Sequence, residues 1–375
     1  MKKLCFFIFV LIFGFCAKTE KSYEIENKNG IKIIKNYSFL KNDGRCPKLE
    51  KEFEIGISDK LLDKKFAEFG TFAVSKIGYI YFFSDKSGIF IFDNKGKFIK
   101  NYGKIGQGPE EIAEVSSMYF DGRGRLVICD SGNMKVIYFD SEGNFIKEKK
   151  RAGYNSPNFY VLENGNYIKE KSFLEKKTLF IENVLYSKDN KLLVVLSKRK
   201  MDNPFTTGDK IPAVYGNMGF MVRNSKIYSF SQQDGYEIRV YNLNGKLIKK
   251  IIRVNYKKIK PYERYIKEFE SLFKRGFMKE IKNKFYFPKY LPPFHTMTLS
   301  DAGYIFVQTY EIDNHSGNYI HEIFNEKGWL LCSIPLPVYS KANSGYQKIK
   351  NKRLYTIRYD NSGNQFFTVY KIIGL

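Results

Sequence analysis

From about residue 50 onward, short apolar runs alternate with turns rich in Gly, Asn and Asp. Residues 78–99 read GYIYFFSDKSGIFIFDNKGKFI and residues 124–146 read GRLVICDSGNMKVIYFDSEGNFI. Each holds a glycine, an apolar run ending near Asp, a short turn, and a second run ending in Phe-Asp. A turn containing Gly and a third run close each copy. Such runs predict short antiparallel strands joined as hairpins. The turn glycines Gly96 and Gly143 lie 47 residues apart, and a further step of 47 falls on Asn190. There Asn replaces Gly at a position expected to need a positive φ.

Weaker copies follow at residues 226–248, with Gly245 in the turn, and at 301–331, with Gly328 in the turn. A last copy runs from Arg353 to the C-terminus, which makes six. One such unit cannot cover both its faces, so copies must stack on one another. A period of this size with several strands per copy predicts an all-β, six-bladed β-propeller of four-stranded antiparallel blades. The last copy lacks its outermost strand, while Phe53-Glu54-Ile55-Gly56-Ile57 precedes the first copy unassigned. Pairing that run with the last blade removes an exposed edge and closes the ring. Gly245 and Gly328 are 83 residues apart, well beyond one period. Ile266, Phe269, Phe273, Phe277 and Ile281 follow one helix face after Pro261, so a helical insertion at about 256–290 is expected between blades 4 and 5. The domain division is then 1–16 as a signal peptide, 17–49 as an N-terminal tether or lead-in, and 50–375 as the propeller.

Composition agrees with strands, since Tyr and Phe together make 62 residues against 11 Pro. Lys2 and Lys3 precede an apolar run over residues 4–15, which is signal-peptide length and short of a membrane span. Cys16 closes that run and is the candidate lipidation site, as in bacterial lipoprotein signals, although Phe15 stands where that pattern has a small residue. The protein is therefore expected to be exported to the cell envelope. Beyond the signal remain Cys46, Cys129 and Cys332, an odd number that excludes a complete disulfide framework. Cys129 and Cys332 lie in strand-like runs and are expected to act as small apolar residues.

The formal charge is +24, and residues 246–284 carry 14 Lys or Arg against 4 Glu. Abundant Lys accompanies abundant Asn, Ile, Phe and Tyr, the signature of an AT-rich genome, so the charge alone selects no partner. The basic surface candidates are Lys257, Lys258, Arg264 and Lys267, interleaved with Tyr256, Tyr262 and Tyr265. A basic aromatic helix can dock on anionic lipid or acidic polymer, or can simply present a solvated outer face.

Phe92-Asp93-Asn94-Lys95-Gly96-Lys97-Phe98-Ile99, with Gly103-Lys104-Ile105-Gly106-Gln107-Gly108-Pro109-Glu110-Glu111, resembles the turn and inter-blade phrase of six-bladed β-propeller lipoproteins with NHL-like repeats. Leu291-Pro292-Pro293-Phe294 and Ser300-Asp301-Ala302-Gly303-Tyr304-Ile305 are similar to the start of a later blade. The resemblance spans residues 50–375 and implies a secreted or membrane-tethered module. Blades three and four depart most from the repeat.

The glycines at 103, 106 and 108 lack the βαβ setting or the Lys-Ser/Thr of a phosphate loop, and are expected to carry the chain between blades. His295, His315 and His321 fall in one copy, with Asp301 and Asp313 nearby, whereas a channel metal needs ligands from several blades. His295 is the channel-facing candidate. No nucleophile-base constellation stands out, so no catalytic residue, metal ligand or cofactor is assigned. Two functions remain. One is a non-enzymatic binding or scaffold module for a protein or glycan partner, monomeric, with membrane contact through a lipid anchor and no nucleic acid. The other is a metal-dependent propeller enzyme of lactonase, hydrolase or lyase type, with a divalent ion in the central channel.

Overall fold

The computed structural model describes residues 21–40, 46–56, 69–150, 159–202, 210–271, 282–337, 347–359 and 364–374. The segment 1–16 with Cys16 lies outside them, as do Phe273, Phe277 and Ile281.

Strands β1 (Tyr23–Lys28), β2 (Ile31–Asn36) and β3 (Lys48–Gly56) precede the first blade. Blade 1 is β4 (Phe72–Val74), β5 (Ile80–Ser84), β6 (Gly88–Phe92) and β7 (Phe98–Tyr102). A short parallel pair, β8 (Lys104–Ile105) and β9 (Glu111–Ile112), carries the chain onward. Blade 2 is β10 (Val115–Phe120), β11 (Leu126–Asp130), β12 (Lys135–Phe139) and β13 (Phe145–Lys150). Blade 3 is β14 (Phe159–Val161), β15 (Tyr167–Glu175), β16 (Thr178–Tyr186) and β17 (Leu192–Asp202). After β18 (Ile211–Pro212), blade 4 is β19 (Met218–Arg223), β20 (Lys226–Ser231), β21 (Glu237–Asn242) and β22 (Leu247–Arg253). Helix α1 (Glu263–Ser271) and β23 (Phe285–Tyr286) follow, and β23 pairs with β18. Blade 5 is β24 (Thr296–Leu299), β25 (Ile305–Ile312), β26 (Tyr319–Phe324) and β27 (Leu330–Leu336). Blade 6 is β28 (Gln347–Lys350), β29 (Arg353–Tyr359), β30 (Gln365–Ile373) and, on its outer edge, β3. The molecule is the six-bladed propeller that the repeats predict, and its helical insertion stands between blades 4 and 5.

Blades 1 and 2 bury both faces of their middle strands, so β6, β11 and β12 are buried along their whole length rather than alternating, with Asp130 and Lys135 the charged residues at strand ends. The buried side chains of the blades form six clusters, one at every blade-to-blade contact. Phe72, Phe82 and Phe367 join blades 6 and 1, for instance, and Ile238, Ile251 and Phe324 join blades 4 and 5. The expected closure is present. β3 pairs antiparallel with β30, from Lys48 opposite Ile373 to Gly56 opposite Phe366.

Two features of the N-terminal segment differ from the sequence reading. Residues read as a lead-in form the β1–β2 hairpin, and β2 adds to blade 4 in parallel with β22, Ile34 opposite Ile251. Cys46 and Cys332 form a disulfide across 286 residues. Cys332 is therefore not merely a small apolar residue, whereas Cys129 is buried in β11. The pairing escaped because β27 and the segment before β3 meet only once the ring has closed.

Candidate functional site

The six innermost strands, β4, β10, β14, β19, β24 and β28, line an axial channel of about 1090 Å³. Tight turns after these strands fix its wall. The Ser75 and Ser300 hydroxyls accept hydrogen bonds from the backbone N–H of Tyr79 and Tyr304, and Asp121 accepts from Arg123 and Arg125. Tyr119 and Tyr160, both on the channel wall, stack at 3.9 Å between ring centroids. The Tyr119 hydroxyl donates to the Val161 carbonyl and accepts from the Val161 N–H, both at 2.9 Å, which locks blade 2 to blade 3.

Strand β28 carries the channel's most unusual chemistry. Alternate residues of a strand share a face, so Ile349 turns into the apolar contact with blade 5 while Lys348 and Lys350 turn towards blade 1. Lys348 Nζ passes the Phe72 ring at 5.1 Å and donates to the Met118 carbonyl of blade 2 at 3.2 Å. Lys350 Nζ passes the Phe120 ring at 5.8 Å and donates to the Val74 carbonyl of blade 1 at 2.8 Å. Loss of hydration disfavours the charged form of both amines, and the nearby Arg223 adds repulsion. Lys348 is lowered to about 7, and Lys350, which also feels Asp301, to about 8. Arg223 ends β19 on blade 4, and its Nε is buried with no hydrogen-bond partner among the described residues. Asp301 accepts the Asn351 N–H at 2.8 Å, so part of its hydrogen-bonding capacity serves the turn.

His295 also lines the channel. Its Nδ1 finds no hydrogen-bond partner among the described residues, its ring meets Tyr310 edge-on at 5.4 Å, and burial lowers its pKa to about 4. It is thus neutral near pH 7. His321 is buried in β26 with Nδ1 3.0 Å from the Tyr319 carbonyl, and is likewise lowered to about 4 by burial. His315 sits exposed on the β25–β26 hairpin, away from the other two in environment. Among the described residues, no group of three His, Cys, Asp or Glu side chains is placed to hold a metal ion.

The basic candidates of the insertion lie outside the channel. Lys257 pairs with Glu311, and Lys267 with Glu263 at 2.5 Å. Lys258 stands 5.9 Å from the Tyr290 ring, and Arg264 5.9 Å from that of Tyr319. The buried side of α1 uses Tyr265 and Phe269, against Tyr310 and Phe287. Glu111 accepts the Gly108 N–H at 2.8 Å, so this acid organises the crossing loop between blades 1 and 2.

The sequence reading missed Lys348, Lys350 and Arg223. It started the sixth copy at Arg353, one strand late, and so never placed Gln347-Lys348-Ile349-Lys350 on an innermost strand. The available signal was the contrast with Phe72-Ala73-Val74 or Thr296-Met297-Thr298-Leu299, which hold no charge.

Comparison with known proteins concerns the fold. No curated protein matches the sequence. Among solved structures the chain is similar to a protein from Bacteroides fragilis NCTC 9343 designated as exported, at 11% identity, 91% of this chain, 99% of that one and a TM-score of 0.51. Virginiamycin B lyase from Staphylococcus aureus aligns at 12% identity over 86% of this chain and 99% of that one, with a TM-score of 0.42. A gluconolactonase from Xanthomonas campestris aligns at 11% identity over 87% and 100%, with a TM-score of 0.39. The family model for 6-bladed beta-propellers designated DUF5128 matches residues 66–292, more than half of the chain. On that match, and on six four-stranded blades closed by β3, the chain belongs to this 6-bladed beta-propeller family.

Proposed function

We propose that the protein is an exported, non-enzymatic binding module that takes a glycan segment into its axial channel. The observation that carries this reading is the channel itself, about 1090 Å³ and open, with a contribution from every blade. Its wall mixes aromatic faces such as Tyr119 and Tyr160 with polar groups such as Asn217, Thr296 and Asn351. A concave site with a few placed polar groups on a rigid scaffold suits recognition of a small polar molecule. The disulfide supports export, since such bonds persist in oxidising compartments. Cys16 supplies the membrane tether in this reading, and the protein acts as a monomer at the cell envelope.

An array of bacterial, plant and host glycans tests the proposal directly. Wild-type protein is expected to retain at least one glycan. Asn217→Trp, which fills the channel from β19's approach, is expected to lose it by about tenfold or more. Thermal melting checks that the variant folds. Equal binding by Asn217→Trp, or no glycan bound by folded wild type, overturns the reading.

A further inference from the structure

We propose that Lys348, Lys350 and Arg223 form an oxyanion-binding site within the axial channel, taking a carboxylate, sulfate or phosphate group of the channel's ligand. The inference rests on the channel being the ligand site and names the chemistry that site selects. Three cations from two blades, β28 of blade 6 and β19 of blade 4, face one water-accessible space. Both ammonium groups spend hydrogen bonds on backbone carbonyls, which leaves donors over, and the Arg223 Nε is buried without a hydrogen-bond partner among the described residues. Among the described residues none of the three has a carboxylate within ion-pair distance, and Asp301 is the one acid felt by Lys350.

Crowded, unneutralised cations cost stability in the empty protein, and a fold normally avoids them by pairing or by substitution with apolar residues. The structure does neither here. Elsewhere it pairs its buried lysine, since Lys135 Nζ reaches Glu148 at 2.8 Å. An arriving oxyanion would supply the missing negative charge and charge-assisted hydrogen bonds to groups of this cluster. Lys348 and Lys350 are lowered to about 7 and 8 by lost hydration and by Arg223, so near neutral pH Lys348 is only partly protonated, and a bound anion raises the protonated share of both amines. Other charged groups along the wall are Lys76, Arg123, Asp121 and Glu163, nearer the turns, and Asp121 is paired with Arg125. The sign follows: binding takes up protons near neutral pH, and affinity falls as pH rises through the lysines' range.

Isothermal titration of full-length secreted protein, at constant ionic strength, uses glucuronate, inorganic sulfate and inorganic phosphate, with glucose as the uncharged control. At least one anion is expected to bind at pH 6.5, to weaken steadily to pH 9, and to take up protons at pH 7.5. Which anion binds best separates a carboxylate from a sulfate or phosphate ligand. Lys348→Met with Lys350→Met is expected to weaken binding about tenfold for each lysine. Arg223→Gln leaves β28 intact and is expected to weaken it as well. Anion binding that survives both variants unchanged, or no anion bound by folded wild type, overturns the site. If a neutral glycan is still lost in Asn217→Trp, the channel reading stands without the oxyanion site. If Asn217→Trp keeps its glycan while the lysine variant loses the anion, the reverse holds.

Discussion

A side-chain oxygen two and four residues ahead of its donors recurs around the ring. Asp93, Asp140, Ser187, Asn242 and Asn325 each accept two backbone N–H bonds, as Asp93 does from Lys95 and Lys97 at 2.9 Å. The residue between the donors takes a left-handed conformation, Gly in four turns and Asn190 in the fifth with φ 67°. Glycine matters doubly where the turn abuts the neighbouring blade. At Gly328 (φ +92°) an added Cβ would lie 2.9 Å from Ile251 of blade 4. Gly328→Ala is expected to destabilise the protein by about 1–3 kcal/mol, from strain and overpacking together. Urea denaturation measures this, and an unchanged midpoint would show that the turn yields freely. These turns were legible because Gly, Asn and Asp advertise them locally. Lys348 and Lys350 were not, because a lysine's meaning depends on which strand of a blade holds it, and β28 is too short to declare itself.

At the scale of elements, the N-terminal segment is a strap across blades 4, 5 and 6. Asn36 donates to the Gly328 carbonyl at 3.1 Å and accepts from the Leu330 N–H at 2.9 Å, while Arg253 donates to the Tyr37 carbonyl at 2.6 Å. Arg253 also holds Glu322 at 3.2 Å, and Tyr236 donates to the same carboxylate at 2.6 Å, so the hairpin rests on a satisfied polar network. Tyr23 stacks on Trp329 at 4.8 Å. The disulfide fixes the next stretch to β27. Cys46→Ser with Cys332→Ser is expected to cost about 2–5 kcal/mol, read as a lower melting temperature with the six-bladed fold kept by circular dichroism. No loss of stability would mean that the hydrogen bonds of the strap suffice. Tyr23–Lys28 lacks a strong apolar run, and it is held through its hairpin partner β2, whose parallel pairing with β22 reaches more than 200 residues away. No local pattern announces a contact of that range. Helix α1, by contrast, carries Ile266 and Phe269 of the spacing that follows Pro261.

For the whole molecule, closure was legible because a copy short of one strand and a strand without a copy are complementary facts. Deleting residues 21–56 removes β3 and leaves the β30 edge open. The truncated protein is expected to melt lower and to scatter light increasingly with concentration, as unpaired edges do; a monomeric, equally stable truncation would show that blade 6 needs no fourth strand. The same seam carries a risk in the intact chain. A strand supplied from the far end of the sequence can in principle complete blade 6 of a different copy, giving swapped dimers or longer chains of rings. Cys46 lies two residues before β3 and is bonded to blade 5 of its own ring. When β3 frays, the bond confines it beside its own β30 at an effective concentration that another molecule's strand does not reach, so each ring recloses on itself.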